Sequence, residues 1–385
     1  MRSPITTNTP GDMFMSTFAE VFPPGEFLRE ELEARNWSQT ELAEIIGRPV
    51  RLINEIIAGK KAITPETAIQ LGESLGTGPE VWMNLESQYQ LSKVRMADNL
   101  IKRRADLYNR FPVREMIKRG WVSASTSIDV LEQQFCQFFG IPHLGAEPAF
   151  AHAARKTDAE TGPTMLQLAW LYRARHVARE LVTRPYDESA LRHALLRLSA
   201  LRTAPEETRH VARILEECGV RWVIVEPIAG TKIDGACFWL ADDQPVVAMT
   251  LRLDRIDNFW FVLRHELEHV LQRHGRDKGY ILDQEVESPS STQINDEEKV
   301  ANDAAAQFCV DQAEVSGFIA RVSPFFKEER VLQFAQRINV HPGLVVGQLQ
   351  RQLARYDLFR KHQAKVRAFV TNAARTDGWG VVQTH

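Results

Sequence analysis

NFWFVLRHELEHVLQ, residues 258–272, is the stretch on which the reading of this chain turns. Its apolar positions recur every three or four residues, which predicts a helix. Within it stands His265-Glu266-Leu267-Glu268-His269, the H-E-x-x-H pattern. On a helix advancing about 100° per residue, His269 returns to within about 40° of His265, one turn along. Two imidazoles on one face can meet a single metal ion. Zinc suits two neutral imidazoles with an open position, where it lowers the pKa of a water towards about 7. Glu266 lies about 100° round from His265, within reach of that water without binding the metal. It is the candidate general base, taking a proton from water and passing it to a leaving amine.

A catalytic zinc site needs a third protein ligand. The extended H-E-x-x-H-x-x-G-x-x-H pattern is absent, since Gln272 and Gly275 stand where its glycine and last histidine belong. A downstream carboxylate remains, with Glu285, Glu287, Asp296, Glu297 and Glu298 as candidates. Glu298 precedes Ala301, Ala304, Ala305 and Ala306, small residues that let its helix come close to the metal helix.

The strand signals lie just before this helix. Val220–Val225 (VRWVIV), Ala236–Leu240 (ACFWL) and Val246–Thr250 (VVAMT) are β-branched or aromatic runs. The turn-like Asp242-Asp243-Gln244-Pro245 joins the last two into an expected hairpin. A peptide substrate would lie along an exposed strand, with Ala236, Cys237 and Phe238 on the expected edge. The oxyanion-stabilising residue is not evident; His274 and Tyr280 are near in sequence, and nothing singles out either.

Most of the remaining chain is helical in pattern, so the expected fold class is mainly α with a small β-sheet (α+β). Residues 1–20 are polar and aperiodic and read as a flexible tail. From Pro24 to Leu91 five short helices follow. Ser38-Gln-Thr-Glu41 has the form of a capping box, starting a helix at Gln39. Gly47-Arg48-Pro49 breaks it, a second helix runs from Val50 to Ile57, and Gly59 suits a left-handed end. Thr64-Pro65 starts the next helix and Gly76 closes it. Two short helices about such a turn form the helix-turn-helix pattern. The expected organisation is therefore a helix-turn-helix domain at 21–91, a helical linker at 92–205 and a metal-binding domain at 206–385.

Composition bounds the alternatives. The chain has 385 residues, 44% hydrophobic and 25% charged, which suits a globular protein of two or three domains. No apolar run reaches the roughly 18 residues of a membrane helix, and the start lacks the form of a secretory signal. A cytoplasmic protein is expected. Cys136, Cys218, Cys237 and Cys309 form no C-x-x-C pair, which excludes a compact cysteine-based zinc finger. Residues 22–91 carry six Lys/Arg against eleven Glu, whereas 92–120 carry nine against three Asp/Glu. The basic stretch suits either a phosphate backbone or a solvated helix face.

Two resemblances extend this reading. Residues 24–91 resemble the HigA branch of the XRE-type helix-turn-helix family, through the PGEFLREEL start, the GKKAITPETA turn and the WMNLE ending. The resemblance implies that the Val50–Ile57 helix enters the major groove of double-stranded operator DNA. Arg48, Pro49, Arg51 and Asn54 would then face the bases, and Lys60 and Lys61 the phosphates. It also implies a homodimer on a pseudo-palindromic site, and leaves a toxin partner open. Residues 220–350 resemble the ImmA/IrrE family of zinc metallo-endopeptidases, through RHELEH, Glu298-Lys-Val-Ala-Asn302 and HPGLVVGQLQ (341–350). That resemblance implies a zincin-like domain with Glu298 as third ligand. Proteins joining the two modules occur as bacterial and phage regulators, and some relatives cleave helix-turn-helix repressors, so the expected substrate is a repressor-type protein in cis or trans. The alternative is a HigA-like antitoxin or repressor whose zinc domain is structural or sensory. Two departures stand out: Glu268 occupies a position where that family often has glycine, and AAAQFCVD after Asn302 is more polar than usual.

Overall fold

The computed structural model describes residues 22–95, 100–150, 163–276, 279–284 and 296–379. The expected tail and the candidate ligands Glu285 and Glu287 lie outside the described residues. The chain divides into two compact units, Met1–Lys102 and Arg103–His385.

The first unit contains α1 (Pro24–Arg35), α2 (Gln39–Ile45), α3 (Val50–Ile57), α4 (Pro65–Leu75) and α5 (Pro79–Arg95). The capping box is formed at both bonds: the Glu41 carboxylate accepts from the Ser38 backbone at 2.7 Å, and Ser38 Oγ accepts from the Glu41 backbone at 3.2 Å. Gly59 and Gly76 take φ of 65° and 72°, the left-handed region where glycine avoids a Cβ clash. Leu28, Leu42, Ile53, Ala68, Leu71 and Trp82 are fully enclosed in one core. The Trp82 indole donates to Thr77 Oγ1 at 2.8 Å, so burial leaves no polar atom of that ring unsatisfied. Trp82→Ala is expected to destabilise this unit by about 3–5 kcal/mol. Amide hydrogen exchange of the full chain checks this: protection should fall across 28–82 and persist across 211–271, and unchanged protection would contradict the assigned core.

The second unit is built on a five-stranded mixed sheet: β1 (Arg221–Ile224), β2 (Ile233–Trp239), β3 (Pro245–Met249), β4 (Ile281–Gln284) and β5 (Arg375–Thr376), in the order β4-β2-β3-β1-β5. The expected hairpin is β2–β3, antiparallel with Cys237 opposite Val247. β1 runs parallel to both β3 and β5. Along the strands, side chains alternate between two cores. Trp222, Ile224, Cys237, Val247 and Met249 enter one; Val223, Val225, Ala236, Phe238, Val246 and Ala248 enter the other. Both faces of the sheet are therefore covered, which is why VRWVIV shows no polar alternation.

On the second face lie α6 (Leu100–Arg110), α7 (Val113–Lys118), α8 (Ile128–Phe139) and α9 (Met165–Arg179). Leu107, Met116, Phe135 and Trp170 share their core with Phe238 of the sheet. Residues 92–205, read as a helical linker, thus include an integral layer of this domain. The arginines of the basic stretch also work here. Arg103 pairs with Glu132 and Asp129 at 2.6 Å; Arg110 donates to the Ala146 carbonyl at 2.7 Å, and Arg119 to the carbonyls of Glu226 and Pro227. On the other face lie α10 (Glu188–Ala200), α11 (Val211–Glu217), α12 (Ile256–Leu271), α13 (Asp296–Cys309), α14 (Gln312–Val322), α15 (Glu328–Arg337), α16 (Pro342–Leu353) and α17 (Arg367–Thr371).

One expectation about the sheet is corrected. Ala236, Cys237 and Phe238 are not an edge: β2 pairs with β3 on one side and β4 on the other, with Ala236 opposite Leu282 and Cys237 opposite Ile281. All three side chains are fully buried. Among the described residues, β4 and β5 form the two ends of the sheet. No helix among the described residues is long and apolar enough to cross a membrane.

Candidate metal centre and nucleic-acid interface

Helix α12 is enclosed on nearly every side: 13 of its 16 residues are buried. A helix buried nearly all round lies in the interior of a domain rather than at its surface. Ile256, Trp260, Leu263, Leu267 and Val270 anchor it, all at 3% exposure or less. That burial decides the standing of the two histidines. At 1% and 0% exposure, the two imidazoles sit where water contributes little to their hydrogen bonding.

Their Nε2 atoms face one another at 3.0 Å. Glu298, from the first turn of α13, brings Oε2 to 3.3 Å from His265 Nε2 and Oε1 to 3.6 Å from His269 Nε2. Ala301 and Ala305, both fully buried, are the small residues that let α13 approach α12. The set passes a geometric test of fit. A tetrahedral ion about 2.0–2.1 Å from each donor needs donor–donor separations of about 3.3 Å; the imidazole pair at 3.0 Å and the carboxylate oxygen nearer each histidine, at 3.3 and 3.6 Å, lie close to that value. His265, His269 and Glu298 are the group of potential metal ligands that converges among the described residues. Asp296 and Glu297 do not join it.

The electrostatics suit the same role. Burial pushes the His269 imidazole down to about 4, and nearby His265 adds to the shift. His269 is therefore neutral at pH 7 and keeps a lone pair for an ion. Burial alone would raise the Glu298 carboxyl, but the side-chain hydrogen bond with His265, the largest of the opposing causes, helps hold it below the ordinary value. It is an anion at neutral pH.

Glu266 is completely buried on the sheet side of α12. Its carboxylate lies against Gly235 of β2, where an added Cβ would come within 2.3 Å of Oε1. Only glycine leaves that room. The sequence carries the signal, because a glycine inside a strand often marks a close approach by another group. Glu268 turns away from the ligand set. Its carboxylate accepts from Arg264 at 2.6 Å and from Gln272 at 2.7 Å. Against a burial that would raise it, those two hydrogen bonds hold Glu268 below its ordinary pKa. The residue in the glycine position is thus accommodated by its own helix. Of the two residues near in sequence, Tyr280 packs edge-on against Phe150 at 5.4 Å. His274 instead reaches the site, with Nδ1 at 2.9 Å from His269 Nδ1.

On the first unit, Arg51 lies 87% exposed on α3 and pairs with Glu55 one turn on. Pro49 and Asn54 are exposed beside it, and Lys60 and Lys61 are exposed past Gly59. Arg48 is half-buried and drawn to Gln70 at 2.9 Å and Glu66 at 3.1 Å, tying the entry of α3 to α4. A solvent-facing arginine and asparagine on a short helix with a buried back are what groove reading requires.

Residues 28–82 match the model of the helix-turn-helix family. An uncharacterised HTH-type transcriptional regulator of Escherichia coli K12, YddM, is 33% identical over 70 residues, 18% of this chain and 74% of that protein. Virulence-associated protein I of Dichelobacter nodosus is 36% identical over 69 residues, covering 18% of this chain and 64% of its own length. Among solved structures, the Pseudomonas aeruginosa antitoxin HigA with the higBA promoter matches at 33% identity over 20% of this chain and 86% of that one, with a TM-score of 0.20.

Proposed function

We propose, from the premise that this chain belongs to the helix-turn-helix family of transcriptional regulators, that it is a DNA-binding regulator whose second unit is a zinc endopeptidase acting on a repressor-type protein. The observation carrying the peptidase reading is the convergence of His265, His269 and Glu298 beside the buried Glu266. Zinc in such a set supplies Lewis acidity, polarising a carbonyl and making a water more acidic. Glu266 would accept the proton of the attacking water and deliver it to the leaving nitrogen. Gly235 leaves the carboxylate the space it occupies, and the Glu268 carboxylate is bound by Arg264 and Gln272. A substrate peptide would add as a strand to β4, since β2 is already paired on both sides. The test is cleavage of candidate repressors by the full chain and by Glu266→Gln.

For the DNA-binding role, support comes from the family match and from the outward-facing Arg51 and Asn54. A dimer on a pseudo-palindromic duplex is the natural arrangement. After selection of duplexes from a random library, Arg51→Ala should weaken binding by about 1–3 kcal/mol, or about 5- to 150-fold, and relax preference at one base pair. The double change Lys60→Ala, Lys61→Ala should weaken all duplexes alike and flatten the salt dependence by about two units of slope. Fluorescence anisotropy across a salt series separates the two patterns. No selection of duplexes by the wild type would remove the DNA reading.

A second reading is favoured by what the matches are, a helix-turn-helix family model over residues 28–82 and an HTH-type transcriptional regulator. It is an antitoxin-like repressor, with or without a toxin partner, whose metal domain is structural or sensory. That protein would regulate DNA equally well as Glu266→Gln.

A further inference from the structure

We propose that His274 is a positioning residue of the metal centre, accepting the Nδ1 proton of His269 and so presenting His269 Nε2 to the ion. The inference rests on reading His265, His269 and Glu298 as metal ligands.

The chemistry starts from the neutral imidazole, which has one N–H and one lone pair. Nε2 of His269 faces His265 and Glu298, so its lone pair is the one offered to a metal. The proton then resides on Nδ1, in a site with no exposure to water, and must find an acceptor. His274 Nδ1 stands 2.9 Å away. Histidine ligands usually donate this proton to a carboxylate, carbonyl or water. Here a second imidazole takes the place.

The position of His274 is built rather than incidental. Immediately after α12, Arg273 turns into the left-handed region at φ 56°. The His274 backbone N–H then donates back to the His269 carbonyl at 2.8 Å, closing the helix end. From β2, the Trp239 indole donates to the His274 carbonyl at 2.9 Å, and the Tyr186 ring meets that indole edge-on at 5.6 Å. Gly275 follows at φ 75°, where an added Cβ would sit 3.0 Å from the Cys237 carbonyl. The helix end, the strand and the glycine together hold the His274 ring against His269. Packing alone explains none of this convergence on a ring nitrogen.

The experiment is zinc competition with a chromogenic chelator on the full chain, using wild type, His274→Ala, His274→Asn and Trp239→Phe. Asparagine places its side-chain oxygen close to where Nδ1 stands, so it keeps the acceptor and discards the rest of the ring. His274→Ala should bind zinc about 10- to 100-fold more weakly, within the range seen when such supporting partners are removed. His274→Asn should restore most of the affinity, and Trp239→Phe should fall between. Wild-type affinity in His274→Ala would overturn the proposal while leaving the three-ligand site intact. Equal losses in the alanine and asparagine variants would also overturn it, assigning His274 to packing. A wild type that binds no zinc would remove the ligand reading and this inference together.

Discussion

Purified full-length chain is expected to carry about one zinc ion per molecule, and His265→Ala and Glu298→Ala are each expected to carry close to none. The expectation follows from the number of donors. Three protein ligands are the minimum for a tightly held catalytic zinc, and each donor here lies within 3.6 Å of another. Losing one leaves a two-ligand site that cannot outcompete chelators. Glu298→Ala also removes the one anion held among the ligands, so the ion's charge would sit uncompensated beside two buried imidazoles. Glu297→Ala is the control. That residue precedes Glu298 by one position and stands outside the ligand set, so its variant should keep full metal content. Inductively coupled plasma measurement on protein purified without added chelator gives all four values. Equal zinc in the Glu298 and Glu297 variants would sink the assignment of the third ligand. No zinc in the wild type would instead leave a helix-turn-helix protein with a metal-free second domain. Binding to the folded state alone also stabilises it in proportion to the logarithm of free zinc over its dissociation constant. Thermal midpoints should therefore rise with zinc in the wild type and not in His265→Ala.

What could be read directly from residues was local chemistry. The capping box at Ser38 and Glu41, the left-handed glycines 59 and 76, and the proline start at Pro65 each depend on a few neighbouring residues, and each lies where the pattern placed it. His265 and His269 share a helix, so their convergence was fixed by helical periodicity alone. Glu298 was harder. Its approach depends on how α13 packs on α12, for which the alanine run is an indirect signal.

Non-local pairing leaves little trace in a local stretch of sequence. Nothing in ACFWL says that a four-residue strand about 40 positions on will cover its open side, and ILDQ has no strong strand pattern, so β2 looks like an edge from its own residues. The helices between 100 and 179 read as a linker because their apolar faces meet a sheet encoded later in the chain. The roles of Gly235 and Trp239 are non-local in the same way. Each acts across the α12–β2 interface, Gly235 by making space for Glu266 and Trp239 by holding the turn that carries His274.

Glu266→Gln is the variant with the largest expected effect on activity. Glutamine keeps the shape that fits against Gly235 and lies outside the ligand set, so zinc content should stay at the wild-type level. What it loses is the basic carboxylate. Removing a positioned general base slows a reaction by about 10²–10⁴-fold, which would turn visible proteolysis into none on a gel. The contrast between intact metal and lost cleavage is what separates a catalytic Glu266 from a structural one. Expression of the wild type and the variant side by side gives a first view without knowing the substrate. If the chain acts on its own kind, full-length Glu266→Gln should accumulate beside a clipped wild type. If it acts in trans, the candidate repressor co-expressed with it should survive only with the variant. Identical banding in both settings, with zinc present in both proteins, would mean that the buried carboxylate does not move protons for hydrolysis. The antitoxin-like regulator with a structural or sensing second domain would then be the better account of a helix-turn-helix module joined to this fold.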